Sequence, residues 1–263
     1  MKWSIGLLLI FGLAILMTMT GRGGGNFYVP VLVAYGAPMH EAATSGQFIL
    51  LVTSIAATLL FHRYRTVDWK LALVIDPPTD IMAFLGGYLS AYISGVNLKF
   101  VMAGFLLIAG LCMFINVRER KNSTYRRFGF WRHKFGDEEY TVNLWLVLPI
   151  TAITGLIAGA VGISGGSFKV PLMILACGIP MRIAVGTSSL MVAATAAMGF
   201  MGHTIQGHFN ANWALPMALV AILGGVLGSR FALKTKAKSL KMLFAITTFA
   251  ASIFMVFNAL LSQ

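Results

Sequence analysis

Beyond Glu139 the chain contains no aspartate or glutamate, because all eight of its acidic residues lie in the first 139 positions. Any carboxylate that carries a proton or a cation must therefore come from the first half. Cysteine is scarcer still. Cys112 and Cys177 sit in apolar segments with neither disulfide nor metal-ligand spacing, so they read as small packing residues and no metal site or cofactor is expected. Charged residues make up 11% of the 263 positions against 58% apolar ones, and mean hydropathy is +0.82. One soluble domain of this length cannot hide that much apolar surface, so the chain belongs in a bilayer. An ATP-binding glycine loop is also missing, which leaves gradients or partners as the source of any driving force.

The formal net charge of +12 would suggest nucleic acid in a soluble protein. Here the bases cluster in short loops between apolar stretches, the pattern of cytoplasmic loops, and no nucleic-acid partner is expected. Arg63, Arg65 and Lys70 mark one such loop, the run from Arg118 to Lys134 a second, and Lys234, Lys236, Lys238 and Lys241 a third. Loops at Gly95 and Gly207 are nearly uncharged and are assigned to the outside. The basic start and apolar run up to Met19 resemble a signal peptide, but no small-x-small site precedes Gly21 and the segment matches a helix of the second half. It is expected to remain as the first helix.

The chain repeats itself. Gly23-Gly24-Gly25-Asn26-Phe27-Tyr28-Val29-Pro30 returns as Ser164-Gly165-Gly166-Ser167-Phe168-Lys169-Val170-Pro171, with the prolines 141 residues apart. Pro38-Met39 matches Pro180-Met181, Thr44-Ser45-Gly46 matches Gly186-Thr187-Ser188, Asp68-Trp69 matches Asn212-Trp213, and Phe84-Leu85-Gly86-Gly87 matches Ile222-Leu223-Gly224-Gly225. Long apolar segments cover residues 3–20, 41–61, 69–94, 98–117, 142–162, 183–204, 213–233 and 240–261, and two short ones, 27–36 and 168–178, come directly after the glycine runs. Ten or eleven helical residues reach about 16 Å, half of a hydrocarbon core of about 30 Å. Charge and segment count together predict an all-α membrane protein, a polytopic helical bundle of two inverted repeats. Each repeat is a glycine-broken re-entrant hairpin plus three crossings, and both termini lie outside. The repeats span residues 1–117 and 142–263, joined by a basic cytoplasmic linker at 118–141.

Broken backbone at membrane depth is tolerated where it lines a wet cavity, and the next half-helix aims its free amides and positive dipole end into the gap. An anion is the natural occupant, and Arg22 and Lys169 add a positive charge beside each break. Thr44 and Ser45, with Thr187 and Ser188, lie a few residues into the helix after each hairpin, where their hydroxyls either donate to an anion or return a bond to the preceding turn. In Asp76-Pro77-Pro78-Thr79-Asp80 two carboxylates lie deep in a membrane segment. They either carry a coupled proton or, for Asp76, cap a helix restarted at Pro77.

The duplicated glycine break with Val-Pro, the later Gly-Thr-Ser, the Trp-containing loop and the Gly-Gly helix, taken in order, resemble the TauE/SafE sulfite exporter family over nearly the whole chain. That resemblance implies a secondary transporter of small sulfur-containing anions such as sulfite, sulfoacetate or related organosulfonates, coupled to the proton gradient in a multi-pass bacterial inner membrane. It implies an anion cradle of Gly24, Gly25, Asn26, Gly165, Gly166 and Ser167, with protons as the coupling ion at Asp76 and Asp80, and leaves a homodimer open. The Asp-Pro-Pro-Thr-Asp insertion has no counterpart in the second half. Two alternatives stand beside the transporter: a passive anion channel, and a rhomboid-like intramembrane serine protease, since Gly162-Ile163-Ser164-Gly165 resembles the nucleophile surroundings of those enzymes and His203 lies on a later helix.

Overall fold

A computed structural model describes residues 2–112 and 128–261, so Arg118, Arg120, Lys121, Arg126 and Arg127 of the basic linker lie outside the described residues. The first half runs α1 (Lys2–Met19), α2 (Gly25–Ala34), α3 (Met39–Arg63), α4 (Trp69–Ile75), α5 (Pro77–Leu89), a 3-10 turn (Ser90–Tyr92) and α6 (Gly95–Cys112). The second begins with β1 (Phe130–Phe135) and β2 (Glu138–Asn143). It continues with α7 (Leu144–Val161), α8 (Gly166–Cys177), α9 (Met181–Thr204), α10 (Ala211–Lys234) and α11 (Ala237–Leu260).

Apolar side chains fill the core and also cover the outer surface, while several polar side chains are buried. Leu8, Leu59, Leu73, Ile153, Leu219 and Ile253 point outward and exposed, while Arg22, Gln47, Asp76, Lys169 and His203 are buried. This arrangement suits a hydrocarbon surround, where polar groups must find partners inside the protein. Four helices, α3, α7, α9 and α10, are each long and apolar enough to cross a bilayer. The protein is a multi-pass helical membrane protein.

The most extensive helix pairings join one half to the other, and they come in reciprocal sets. Helix α5 packs on α7 as α10 packs on α1, and α3 meets α10 as α9 meets α5. Paired glycines permit this close approach. A Cβ at Gly86 would sit 2.1 Å from the Leu156 carbonyl on α7, and one at Gly224 would sit 2.8 Å from the Phe11 carbonyl on α1. The matching helices α3 and α9 run antiparallel. His40, at the start of α3, stacks on His208, just beyond the end of α9, at 5.1 Å. At the opposite ends, the Asp68 amide after α3 donates to Thr187 Oγ1 near the start of α9 at 2.9 Å.

One local feature is absent from the sequence reading. The end of the linker carries an antiparallel hairpin in which Phe130 pairs with Asn143 and Phe135 with Glu138. Gly136, with φ of 60°, supplies the positive dihedral that its tight turn requires. Asp68 Oδ1 caps α4 by accepting from the Leu71 amide at 3.0 Å, whereas α10 is capped by Asn210 and not by Asn212. The hairpin docks on that first cap, where Tyr140 donates its hydroxyl to Asp68 Oδ2 and His133 Nε2 lies 2.9 Å from the same oxygen. Burial and the bonded carboxylate push the Tyr140 phenol upward, so it stays a donor across the physiological range.

Candidate functional site

The two glycine breaks lie against each other. A Cβ on Gly25 would stand 2.8 Å from the Ser164 amide nitrogen, and one on Gly166 would stand 3.2 Å from the Gly21 carbonyl oxygen. Residues with side chains would push the breaks apart. The chain reaches this geometry through left-handed backbone at Gly24, φ 103°, in the first break and at Gly162, φ 75°, before the second. Helix α2 starts directly after the first break and α8 directly after the second, with 10 and 12 residues or about 15 and 18 Å. Each is too short to cross a hydrocarbon core. The side chain of Asn26, in α2, lies outside the described residues.

Beside the second break lies a buried charge cluster. Lys169 occupies the first turn of α8 and folds back over the break, so that a Cβ on Gly165 would meet its Cε at 3.1 Å and its Nζ at 3.5 Å. The ammonium pairs with the Asp76 carboxylate and donates to Thr195 Oγ1 at 2.6 Å and to the Met191 carbonyl at 3.2 Å. Thr195 in turn donates to Asp80 Oδ1 at 2.9 Å. Lys169 is 1% exposed and Asp76 4%. Asp76 does stand at the joint between α4 and α5, with Pro77 opening the new helix. Its carboxylate makes no capping bond, however, and is directed at Lys169. Here the Pro-Pro interruption places a carboxylate in the interior.

The first half holds an uncharged version of this cluster. Tyr28 occupies the repeat position of Lys169, and its hydroxyl lies 3.4 Å from Thr53 Oγ1, with Thr53 matching Thr195. The repeat position of Arg22 is Ile163. The two bases are therefore not equivalent, and their environments differ. Arg22 is fully buried and donates Nη1 to Thr248 Oγ1 on α11 at 2.5 Å.

The expected hydroxyls divide. Thr44 returns its bond to the His40 carbonyl at 2.9 Å, Thr187 accepts from the Asp68 amide, and Ser188 donates to the Gly21 carbonyl of the first break at 2.8 Å. Ser45 Oγ is buried without a hydrogen-bond partner. Ser54 and Ser164 share that condition, and Ser54 Oγ would be only 2.1 Å from a Cβ on Gly23. Buried polar groups normally find partners, and of these three unbonded hydroxyls Ser54 is the one that sequence reasoning missed. Ser54 falls outside the matched repeat motifs. Gln47 was missed for the same reason, and its Nε2 reaches the Ile163 carbonyl of the second break at 3.4 Å.

The Ser164–His203 pairing of the protease alternative is not formed. His203 lies 3.1 Å from Ser90 Oγ through Nδ1 and 2.8 Å from the Gly159 carbonyl through Nε2, so both ring nitrogens are engaged elsewhere. Among the described residues, no group of three or more histidine, cysteine, aspartate or glutamate side chains is placed to hold a metal ion.

Known proteins resemble this chain along most of its length. Probable membrane transporter protein YunE of Bacillus subtilis (strain 168) is 25% identical over 257 residues, covering 93% of this chain and 94% of its own. Probable membrane transporter protein MJ0441 of Methanocaldococcus jannaschii is 24% identical, covering 88% and 86%. Probable membrane transporter protein ORF9 of a Sinorhizobium species is 30% identical, covering 88% and 84%. No solved structure matches. The sequence profile described as Sulfite exporter TauE/SafE matches residues 6–255, and with two broken helices meeting inside a helical membrane bundle the chain belongs to the TauE/SafE sulfite exporter family.

Proposed function

We propose that this protein is a gradient-driven secondary transporter of small sulfur-containing anions, among them sulfite, sulfoacetate and related organosulfonates. The anion is held between the two glycine breaks, and its movement is coupled to protons at Asp76 with Asp80 as neighbour. The observation that carries this reading is the contact between the breaks beside the Lys169–Asp76 pair. Half-helix amides and a buried ammonium both favour negative charge there, and an intramembrane carboxylate at the same spot provides a proton carrier. Reciprocal helix pairing and the antiparallel course of α3 and α9 support an inverted repeat, because a two-fold axis relating antiparallel helices lies across them, in the membrane plane. The half-length α2 and α8 support re-entrant hairpins, with α7 tilted to fit its 18 residues.

Reconstitution into liposomes tests the function. With an imposed proton gradient, the protein should accumulate at least one anion of a sulfite, sulfoacetate and ethanesulfonate panel against its concentration gradient. Strictly downhill flux would make it a channel, and no flux of any panel member would overturn the proposal.

A further inference from the structure

We infer that Lys169 is an exchange residue whose ammonium alternates between the Asp76 carboxylate and an anion seated at Gly165–Gly166, so that Asp76 takes up a proton as the anion binds. The inference rests on the transporter reading and supplies its coupling step.

Reach comes first. Nζ lies 3.5 Å from the position of a Cβ on Gly165, so the ammonium stands against the break backbone and is in contact range of an anion seated there. A lysine side chain is also suited to changing partners, being a point charge on a flexible stem. Its three donors are now directed at Asp76, Thr195 and the Met191 carbonyl, and an anion must displace at least one of them.

Charge balance then requires a proton. One buried ammonium already faces two carboxylates, Asp76 directly and Asp80 through Thr195. A singly charged anion arriving beside Lys169 makes three negative groups around that ammonium. Leaving a carboxylate buried and unpaired costs several kcal/mol, and uptake of a proton removes that charge. Other cations on the elements packed around the pair stand apart from it or are bonded elsewhere, and Lys99, on α6 beside α8, is half-exposed in the first turns of its helix. Helix α7, packed on α5, has no ionisable side chain. Of those on α9, Arg182 is exposed at its start and His203 is bonded to Ser90 and Gly159 at its far end. Lys70 of α4 is exposed, and Arg22 at the other break is committed to Thr248 on α11.

The repeat sets the number of protons. At the position of Lys169 the first half has Tyr28, and its α10 counterpart of the Asp76–Asp80 stretch has no acid, since the chain lacks carboxylates beyond Glu139. Exchange therefore happens in one half only, and one proton accompanies each singly charged anion.

Ethanesulfonate is a suitable probe because it carries a single negative charge on a sulfonate that stays ionised between about pH 6 and 8. Its addition to purified protein in weakly buffered detergent solution should raise the pH by about one proton per anion bound, with affinity falling as pH rises through this range. The Asp76→Asn/Asp80→Asn protein should bind ethanesulfonate several-fold more tightly, because Lys169 is released, with no proton uptake. Lys169→Gln should lose about tenfold or more in affinity, and Lys169→Arg should recover part of it. Wild-type binding without proton uptake and with a flat pH profile overturns the inference on the unaltered protein, whatever the variants' folding. Transport that persists in that case leaves the transporter reading in place. Proton uptake unchanged in the doubly neutralised protein also overturns it, and absence of both binding and transport for the whole panel removes inference and reading together.

Discussion

Separating the charges of the Lys169–Asp76 pair gives the most direct measure of how the interior is held. Both side chains are almost wholly buried, at 1% and 6% exposure, so Lys169→Met strands a carboxylate and Asp76→Asn strands an ammonium in a medium that solvates neither well. Removing one member of a buried pair costs about 3–5 kcal/mol, and replacing both by neutral groups of similar volume costs far less. Lys169→Met/Asp76→Asn should accordingly be more stable than either single variant, with a coupling of at least about 2 kcal/mol in a double-mutant cycle. At about 2–4 °C per kcal/mol, each single variant should melt on the order of 10 °C below the parent in detergent micelles. Lys169→Met should also regain stability as pH falls, because protonation neutralises the stranded Asp76, whereas Asp76→Asn should not. Additive single effects, agreeing within about 0.5 kcal/mol with the double variant, would refute a direct interaction between the two groups.

Packing sets three further outcomes. Gly159→Leu should abolish assembly of monodisperse protein, since even its Cβ would stand 2.2 Å from the Ala83 carbonyl, whereas Gly104→Ala, with open space at that position, should purify like the parent on gel filtration. Gly25→Val and Gly166→Val should eliminate anion uptake in liposomes by forcing the breaks apart while a folded protein survives, and retained uptake in both would remove the breaks from the transport path. Tyr140→Phe leaves Asp68 short of a buried donor, a loss of about 1–3 kcal/mol, and limited proteolysis should then cut the 130–143 hairpin faster than in the parent.

Much of the fold was legible because it depends on local patterns. Apolar run length sets which segments can cross a bilayer, and serial glycines mark where a helix must stop, so α2, α8 and the boundaries of the long helices appear in the sequence within a few residues. Duplication of the break was equally visible. The hairpin was not, because its basic residues were read as loop charge, although the alternation from Phe130 to Phe135 and the Gly136-Asp137 turn carried its signal. The bases beside the breaks were read as a matched pair because proximity in sequence was the only measure at hand. Tertiary contact separates them, with Arg22 bonded to Thr248 and Lys169 paired with Asp76.

Consecutive residues alone establish a duplicated membrane protein of the TauE/SafE family with two interrupted helices, since each of those features is written in a contiguous stretch of chain. Packing was needed to bring the interruptions into contact and to turn Asp76 toward a lysine instead of its own helix. It also placed the charged cluster in one half while Tyr28 and Thr53 hold its place in the other. A buried charge finds its partner through the assembly of distant elements, here α5, α8 and α9 around one point, and no local periodicity encodes which remote side chain will stand there.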